Sequence, residues 1–375
     1  MTPPPFRFLD RPEAIEEALG GFRGEPLLAL DLEADGLHSY RAKVCLVQAT
    51  TAAGTVIIDP LAAPDSLRDL VPLLEDPGTL KIFHGGDFDV RQLKALLGCR
   101  VRGLFDTMIA AQLLGRPQVG LAALLAERFG VALDKRFQRA DWSARPLAPA
   151  MLAYAALDTT HLPALREVLV AELEALGRLA WAEEEFALLE AVAPAAPRAP
   201  SALTVKGAGR LPPRQLAVLQ ELLEVRERAA EAADRPPFKV VSTQVLLGWV
   251  AAPPQTRGEV LATPGAGAGP LGRIADDVLE AIRRGLALPD AECPRPERGP
   301  RREPLTEEEN RRLGRLKSAR AGLAARLALD PGLLVSSATL ERIAREDPAA
   351  AAAALPEKLK RWQFEAAGEE FRAAL

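Results

Sequence analysis

The sequence predicts an α/β domain built on a mixed sheet, followed by two small all-α domains. Three observations carry that prediction. Between residues 26 and 107, three strand-like apolar runs joined by short turns give way to strand–helix alternation. From residue 211 onward, every periodic segment has helical spacing. Stretches rich in Pro and Ala or Gly, at 193–201 and 289–304, separate the parts. The expected domains are 1–195, 205–288 and 303–375 of the 375 residues.

Each element has its own signal. Met1-Thr2-Pro3-Pro4-Pro5 reads as a short disordered lead, and 10–20 as a helix with Pro12 near its first turn. Residues 26–31 form a compact apolar run ending in acid, expected as a buried strand. Residues 43–51 and 54–59 give two more strands with Gly54 between them, so the first three strands form an antiparallel meander. Residues 64–75 have helical spacing, and Leu80-Lys81-Ile82-Phe83 is a fourth strand. Gly85-Gly86 turn the chain into a helix carrying Asp89 and Leu93. Leu104-Phe105 ends a fifth strand, and Asp106-Thr107 opens a helix that Asp106 is expected to cap. Helical patterns follow at 119–129, 148–158, 160–176 and 177–189, the last with Glu183, Glu184 and Glu185. Residues 211–286 are helical, with a loop expected at 265–270. Residues 305–375 are helical again, opening on a Thr306/Glu309 capping box. The two helical stretches have similar length and texture, as a diverged repeat would.

Composition narrows the class. The chain is 48% hydrophobic, ample for packed cores. It shows no signal peptide and no run near the roughly 18 apolar residues of a membrane span. Cys45, Cys99 and Cys293 share no paired spacing, which fits a reducing cytoplasm and argues against a disulfide framework or zinc cluster. With only three histidines, a histidine-based metal site is disfavoured. Residues 1–200 carry 20 Lys and Arg against 27 Asp and Glu, whereas the remainder carries 27 against 24. An acidic part followed by a mildly basic tail is compatible with nucleic acid without demanding it.

The chemistry lies in five residues. Asp31 and Glu33 sit two apart on an expected strand, so both point to one side. Tyr154 and Asp158 sit four apart on an expected helix, so they share a face. Asp89 lies on the helix after the fourth strand. Taken singly, Asp31 could be a strand-end cap, Asp89 a first-turn acid and Tyr154 a core aromatic. Jointly, four carboxylates and a tyrosine suit phosphodiester hydrolysis at two divalent cations roughly 3.5–4 Å apart. Hard cations such as Mg²⁺ and Mn²⁺ take oxygen ligands, and four like charges in one cleft would repel without them. A phenol beside them would orient the attacking water.

Asp31-Leu32-Glu33, Asp89 and Tyr154-Ala155-Ala156-Leu157-Asp158 together resemble the DEDD exonuclease superfamily, in its tyrosine branch. The histidine branch would need His where Ala153 stands, and His161 follows the Asp. Within the branch, residues 25–185 are most similar to ribonuclease D. The similarity runs through Val44-Cys45-Leu46-Val47-Gln48, His84-Gly85-Gly86, Phe105-Asp106-Thr107 with Ala110-Ala111, Asp141-Trp142-Ser143-Ala144-Arg145-Pro146-Leu147, and His161-Leu162. The resemblance implies a ribonuclease-H-like fold and removal of nucleotides from the 3′ end. Asp31, Glu33, Asp89 and Asp158 would be metal ligands, and Tyr154 the residue that positions water. Downstream, Leu211-Pro212-Pro213-Arg214-Gln215-Leu216, Arg226-Glu227, Ala230 and Pro236-Pro237 resemble the HRDC domain, with Val225 where the family often carries Trp. Residues 305–375 resemble a second, diverged HRDC domain.

The expected activity is a cytoplasmic, metal-dependent 3′–5′ exoribonuclease that releases nucleoside 5′-monophosphates. Transfer-RNA precursors and other structured RNA are the implied substrates, and a monomer is the expected state. Two alternatives stand beside it: the same site acting on DNA, and a non-catalytic RNA-binding scaffold. Several residues have two readings. His84 is structural or substrate-facing. Trp142 stacks on a base or anchors its loop. His38, Tyr40, Arg41 and Lys43 touch the terminal nucleotide or form a plain surface loop. Arg273, Arg283 and Arg284 contact phosphate or form a solvated helix face.

Overall fold

The computed structural model describes residues 5–133, 135–196, 199–264, 268–296 and 303–375. Its sheet has six strands: β1 (Phe6–Leu9), β2 (Leu27–Ala34), β3 (Val44–Thr51), β4 (Gly54–Ile58), β5 (Leu80–Phe83) and β6 (Leu104–Asp106), in the order β1-β4-β3-β2-β5-β6. The meander is present, with β3 antiparallel to both β2 and β4. β5 runs parallel to β2, and β6 parallel to β5, so the sheet is mixed. Strand β1 was not expected. It adds in parallel to the outer edge of β4, Phe6 opposite Thr55 and Leu9 opposite Ile58. Its partner lies some fifty residues away, out of reach of local periodicity.

Helices α1 (Pro12–Gly21), α2 (Val71–Glu75), α3 (Asp87–Leu97), α4 (Thr107–Leu113), α5 (Leu121–Phe129), α6 (Pro149–Thr160), α7 (Leu162–Ala175) and α8 (Leu179–Glu190) surround the sheet. Residues 64–70 form a 3₁₀ turn that leads into α2. Helix α6 matters most for the site. It lies over one face of β2, β3 and β4. Ala155 and Ala156, both fully buried, let its backbone approach the strands closely. A hydroxyl ladder fixes its position: Thr50 Oγ1 lies 2.8 Å from Thr159 Oγ1 and 2.9 Å from Thr55 Oγ1.

The rest of the chain is helical. A first module comprises α9 (Pro213–Ala232), α10 (Pro237–Val240), α11 (Thr243–Ala251), α12 (Arg257–Leu261) and α13 (Ala268–Ala287). Of the loop expected at 265–270, residues 265–267 fall outside the described residues, and 268–270 open α13. This module has its own core, in which Leu216, Leu219, Leu222 and Leu223 pack against Leu271, Val278 and Ile282. Gly285 permits the closest approach, since a Cβ there would meet Val218 Cα at 2.5 Å. A second module comprises α14 (Glu307–Leu327), α15 (Pro331–Leu334), α16 (Ser337–Arg345), α17 (Pro348–Ala353), α18 (Leu355–Lys358) and α19 (Arg361–Ala374). Helix α14 opens on the Thr306/Glu309 capping box. The core of this module is continuous with that of the α/β domain. Among the described residues, no helix is long and apolar enough to cross a membrane.

Candidate active site

Strand β2 supplies two of the acids. Leu28, Leu30 and Leu32 point into the core, which turns the alternate residues Asp31 and Glu33 to the opposite face. Helix α6 covers that face and brings Tyr154 and Asp158 down onto it. Carboxylate oxygens of Asp31, Glu33 and Asp158 lie within 4.8 Å of one another. Asp89, buried in the first turn of α3, lies outside that tight triplet but close enough for its charge to act on Glu33.

Asp106 sets the position of α3. Its carboxylate caps α4, accepting from Met108 N at 2.8 Å and Ile109 N at 3.1 Å. It also accepts from Gly85 N at 3.0 Å and Gly86 N at 2.7 Å, so it clamps the turn that leads into α3. Each glycine has its reason: Gly85 takes a left-handed backbone, φ 69°, and a Cβ on Gly86 would meet Phe83 Cβ at 2.7 Å.

The electrostatics are those of a crowded anionic cleft. Burial pushes Asp31 up to about 7. Burial, then the charges of Asp31, Asp158 and Asp89, pushes Glu33 up to about 10. Burial holds Asp89 and Asp158 well above the carboxylate range, reinforced in each by Asp31. Four such groups ionise together only with cationic charge among them. The donor set is all oxygen, as a hard divalent cation requires. Gln48, directly across from Asp31 in the β2–β3 register, is fully buried, and neither amide atom meets a protein hydrogen-bond partner. A buried amide in that state, beside carboxylates, suits a site shared with water or an ion. The residues therefore fit divalent metal.

Asp31, Glu33 and Asp158 open onto a cavity of about 580 Å³ that Tyr154 and His84 also line. The Tyr154 ring packs 6.1 Å from that of Trp142 and 5.8 Å from that of Phe137. Trp142 is 1% exposed, so it anchors its loop and is not available to stack on a base. That loop is pinned by Arg145, which donates to both oxygens of buried Asp59 at 2.6 and 2.7 Å and to Trp142 O at 2.7 Å. His84 has a defined tautomer. Thr107 Oγ1 donates its one proton to Phe83 O at 3.1 Å, so His84 Nδ1, 2.9 Å away, donates to Thr107. Burial lowers the His84 pKa, and the neutral ring keeps Nε2 as an acceptor.

The remaining candidates divide. Tyr40, Arg41 and Lys43 neither reach the carboxylates nor form a free loop, because they dock onto the first helical module. Tyr40 N donates to Asp234 at 3.1 Å, Lys43 Nζ to Asp234 at 2.9 Å and Arg41 Nη2 to Glu231 at 2.8 Å. His38 sits 3.6 Å from Asp141. Arg283 pairs with Glu280 and Arg284 with Glu221, as a solvated face would. Sequence reasoning missed Gln118 and Gln138, which line the cavity beside Leu121 and Leu133. They stand in no motif, so a single sequence gives no signal for them. It also missed the pairing of Arg145 with Asp59.

A nuclease-type sheet with clustered acids under a tyrosine-bearing helix defines the class of metal-dependent 3′–5′ exonucleases, and comparison agrees. Residues 6–174 match the family model described as 3′-5′ exonuclease, and residues 215–282 match the HRDC domain model. Ribonuclease D of Gluconacetobacter diazotrophicus is 34% identical over 330 residues, covering 86% of this chain and 82% of the relative. The structure of Escherichia coli RNase D, an exoribonuclease involved in structured RNA processing, superposes with a TM-score of 0.74 at 25% identity, covering 99% of this chain and 98% of that one. The catalytic core of RRP6 from Trypanosoma brucei gives a TM-score of 0.69 at 30% identity, covering 76% of this chain and 81% of that one. The chain belongs to the ribonuclease D family and is a 3′–5′ exoribonuclease. Its dependence on divalent metal follows from the family.

Proposed function

We propose that Asp31, Glu33, Asp89 and Asp158 hold two divalent cations, Mg²⁺ or Mn²⁺, and that Tyr154 positions the attacking water. The carrying observation is the convergence of three carboxylates within 4.8 Å on a cavity that Tyr154 lines. Bound cations supply charge for the phosphodiester oxygens and the leaving 3′ oxygen. The chain's own groups do the rest. The Tyr154 hydroxyl orients water by hydrogen bonding. Trp142 and Phe137 hold the ring, and the Arg145–Asp59 pair holds Trp142. Neutral His84 offers an acceptor at the cavity wall, suited to a hydroxyl of the terminal nucleotide. Nucleoside 5′-monophosphates leave one at a time.

The substrate reading is structured RNA with a single-stranded 3′ end, transfer-RNA precursors included. The structured-RNA role of the Escherichia coli enzyme supports it. The enzyme acts as a monomer in the cytoplasm, where its three buried free cysteines stay reduced. The two helical modules, 205–288 and 303–375, are diverged HRDC copies that hold the RNA body. Their helices repeat in order: 20, 4, 9 and 5 residues from α9 to α12, against 21, 4, 9 and 6 from α14 to α17. A serine caps the nine-residue helix in each, Ser242 onto Val245 N and Ser336 onto Thr339 N.

The test is hydrolysis of a 3′-tailed RNA and the matching DNA with Mg²⁺, Mn²⁺ or chelator, beside Asp158→Asn. The expected result is a one-nucleotide ladder on RNA that chelator and the substitution both abolish. Equal hydrolysis in chelator, or by Asp158→Asn, would overturn the metal assignment.

A further inference from the structure

A second cavity, of about 410 Å³, opens in the first helical module, apart from the carboxylates. Its apolar lining is Val240, Ile274 and the three alanines 229, 232 and 233 at the end of α9. Its polar lining is two arginines, Arg235 and Arg273. Neither guanidinium meets a carboxylate among the described residues, whereas Arg257, Arg283 and Arg284 of the same module each do. Two unpaired guanidinia over an apolar floor suit a phosphate flanked by the nonpolar face of a sugar or base.

The place of Arg235 in the fold is informative. Its N–H closes the end of α9 on Ala230 O at 2.9 Å. It directly follows Asp234, whose left-handed backbone (φ 41°) turns the chain there. Asp234 is the residue that accepts from Tyr40 N and Lys43 Nζ of the loop after β2. That loop begins two residues beyond Glu33. One turn thus grips the strand end that carries Asp31 and Glu33, and also presents a cationic side chain to the cavity.

We infer that this cavity is a subsite for the RNA backbone upstream of the 3′ end, with Arg235 and Arg273 on one phosphodiester group and Val240 and Ile274 against the adjoining nucleotide. The inference rests on the proposed RNA substrate, and its role is grip rather than chemistry.

The test is the full-length Arg235→Gln/Arg273→Gln double variant, with Arg235→Lys/Arg273→Lys as its charge-retaining control. Affinity for a 3′-tailed RNA hairpin is measured in chelator across a salt series, and hydrolysis of a dinucleotide is measured with Mn²⁺. The expected result for the glutamine variant is about a tenfold loss of affinity at 0.15 M salt. The salt slope should fall by about 1.4, the value for two single-strand phosphate contacts. The lysine variant keeps most of the slope, and dinucleotide hydrolysis is unchanged in both. Wild-type affinity and slope in the glutamine variant would overturn the inference, as would an equal loss of dinucleotide hydrolysis, which signals general damage. If wild-type protein bound the hairpin but did not cleave the dinucleotide, the catalytic reading would fail while the binding result still decided the subsite.

Discussion

The two helical modules share a texture but are attached in opposite ways. The first has a closed core of its own. Apart from Tyr40, which packs against that core, it meets the loop after β2 through solvent-exposed ion pairs, Arg41–Glu231 and Lys43–Asp234. Such pairs contribute little to stability and weaken with salt. The second module continues the catalytic core. The largely buried Glu185 accepts from Lys360 Nζ at 2.6 Å and Trp362 Nε1 at 2.7 Å. Glu184 takes the backbone N–H groups of Arg361 and Trp362, both at 2.8 Å. The rings of Trp181 and Trp362 stack at 5.2 Å. Arg178 donates to Leu113 O and Leu327 O, both at 2.7 Å. One module is joined to the sheet by an exposed polar latch, and the other is part of the enzyme's frame.

The largest effect expected from this contrast is at Trp362. Trp362→Ala leaves a cavity in the shared core and should cost about 4 kcal/mol. Denaturant unfolding followed by Tyr154-site fluorescence should shift with the module's own signal. Separate transitions, with the catalytic domain unmoved, would break the contrast. Arg145→Ala is next. It leaves Asp59 buried and unpaired, costs about 3 kcal/mol, and frees the loop that holds Trp142 against Tyr154. It should therefore lower kcat as well as the denaturation midpoint, whereas Trp362→Ala should lower mainly the midpoint.

A third prediction concerns pH. Asp31 and Glu33 titrate near 7 and 10 when no cation is bound, above the unfolded values of about 4. Between those limits the folded chain binds more protons than the unfolded chain. The metal-free fold therefore loses stability as pH rises through that window, and below about pH 4 the contribution is complete. Melting temperatures in chelator should fall from pH 5 to pH 8. Mn²⁺ should raise them more at pH 8, because cations and protons compete for the same oxygens. A larger Mn²⁺ effect at pH 5 would contradict this.

The smallest energetic effect is at the latch. Glu231→Ser/Asp234→Ser should leave the melting temperature within about 1 °C of wild type, as loss of exposed pairs implies. Spin-label distances from α9 to β4 should broaden in that variant, and also in wild type at high salt. Distances from α19 to β4 should not change. Equal broadening of both would erase the distinction between the modules.

What was legible in the sequence follows how local each signal is. Asp31 with Glu33, and Tyr154 with Asp158, are short-period pairs, so their shared faces followed from strand and helix geometry alone. The Asp106 cap and the Thr306/Glu309 box were legible for the same reason. Residues with distant partners were not. Strand β1 needs β4, Arg145 needs Asp59, and Tyr40 to Lys43 need a turn about 190 residues further on. The acidic run at Glu183 to Glu185 gave no sign of its partner, because the N-terminus of α19, which uses Glu184 and Glu185, lies far along the chain. No periodicity marks which of two similar helical modules shares a core with the sheet.

The most direct test of the site is Mn²⁺ titration by calorimetry, with turnover measured on the same samples. Two ions per chain are expected for wild type and for Tyr154→Phe, which binds both but turns over slowly. Asp158→Asn should lose at least one ion together with activity. Two ions bound with wild-type affinity by Asp158→Asn would contradict the account.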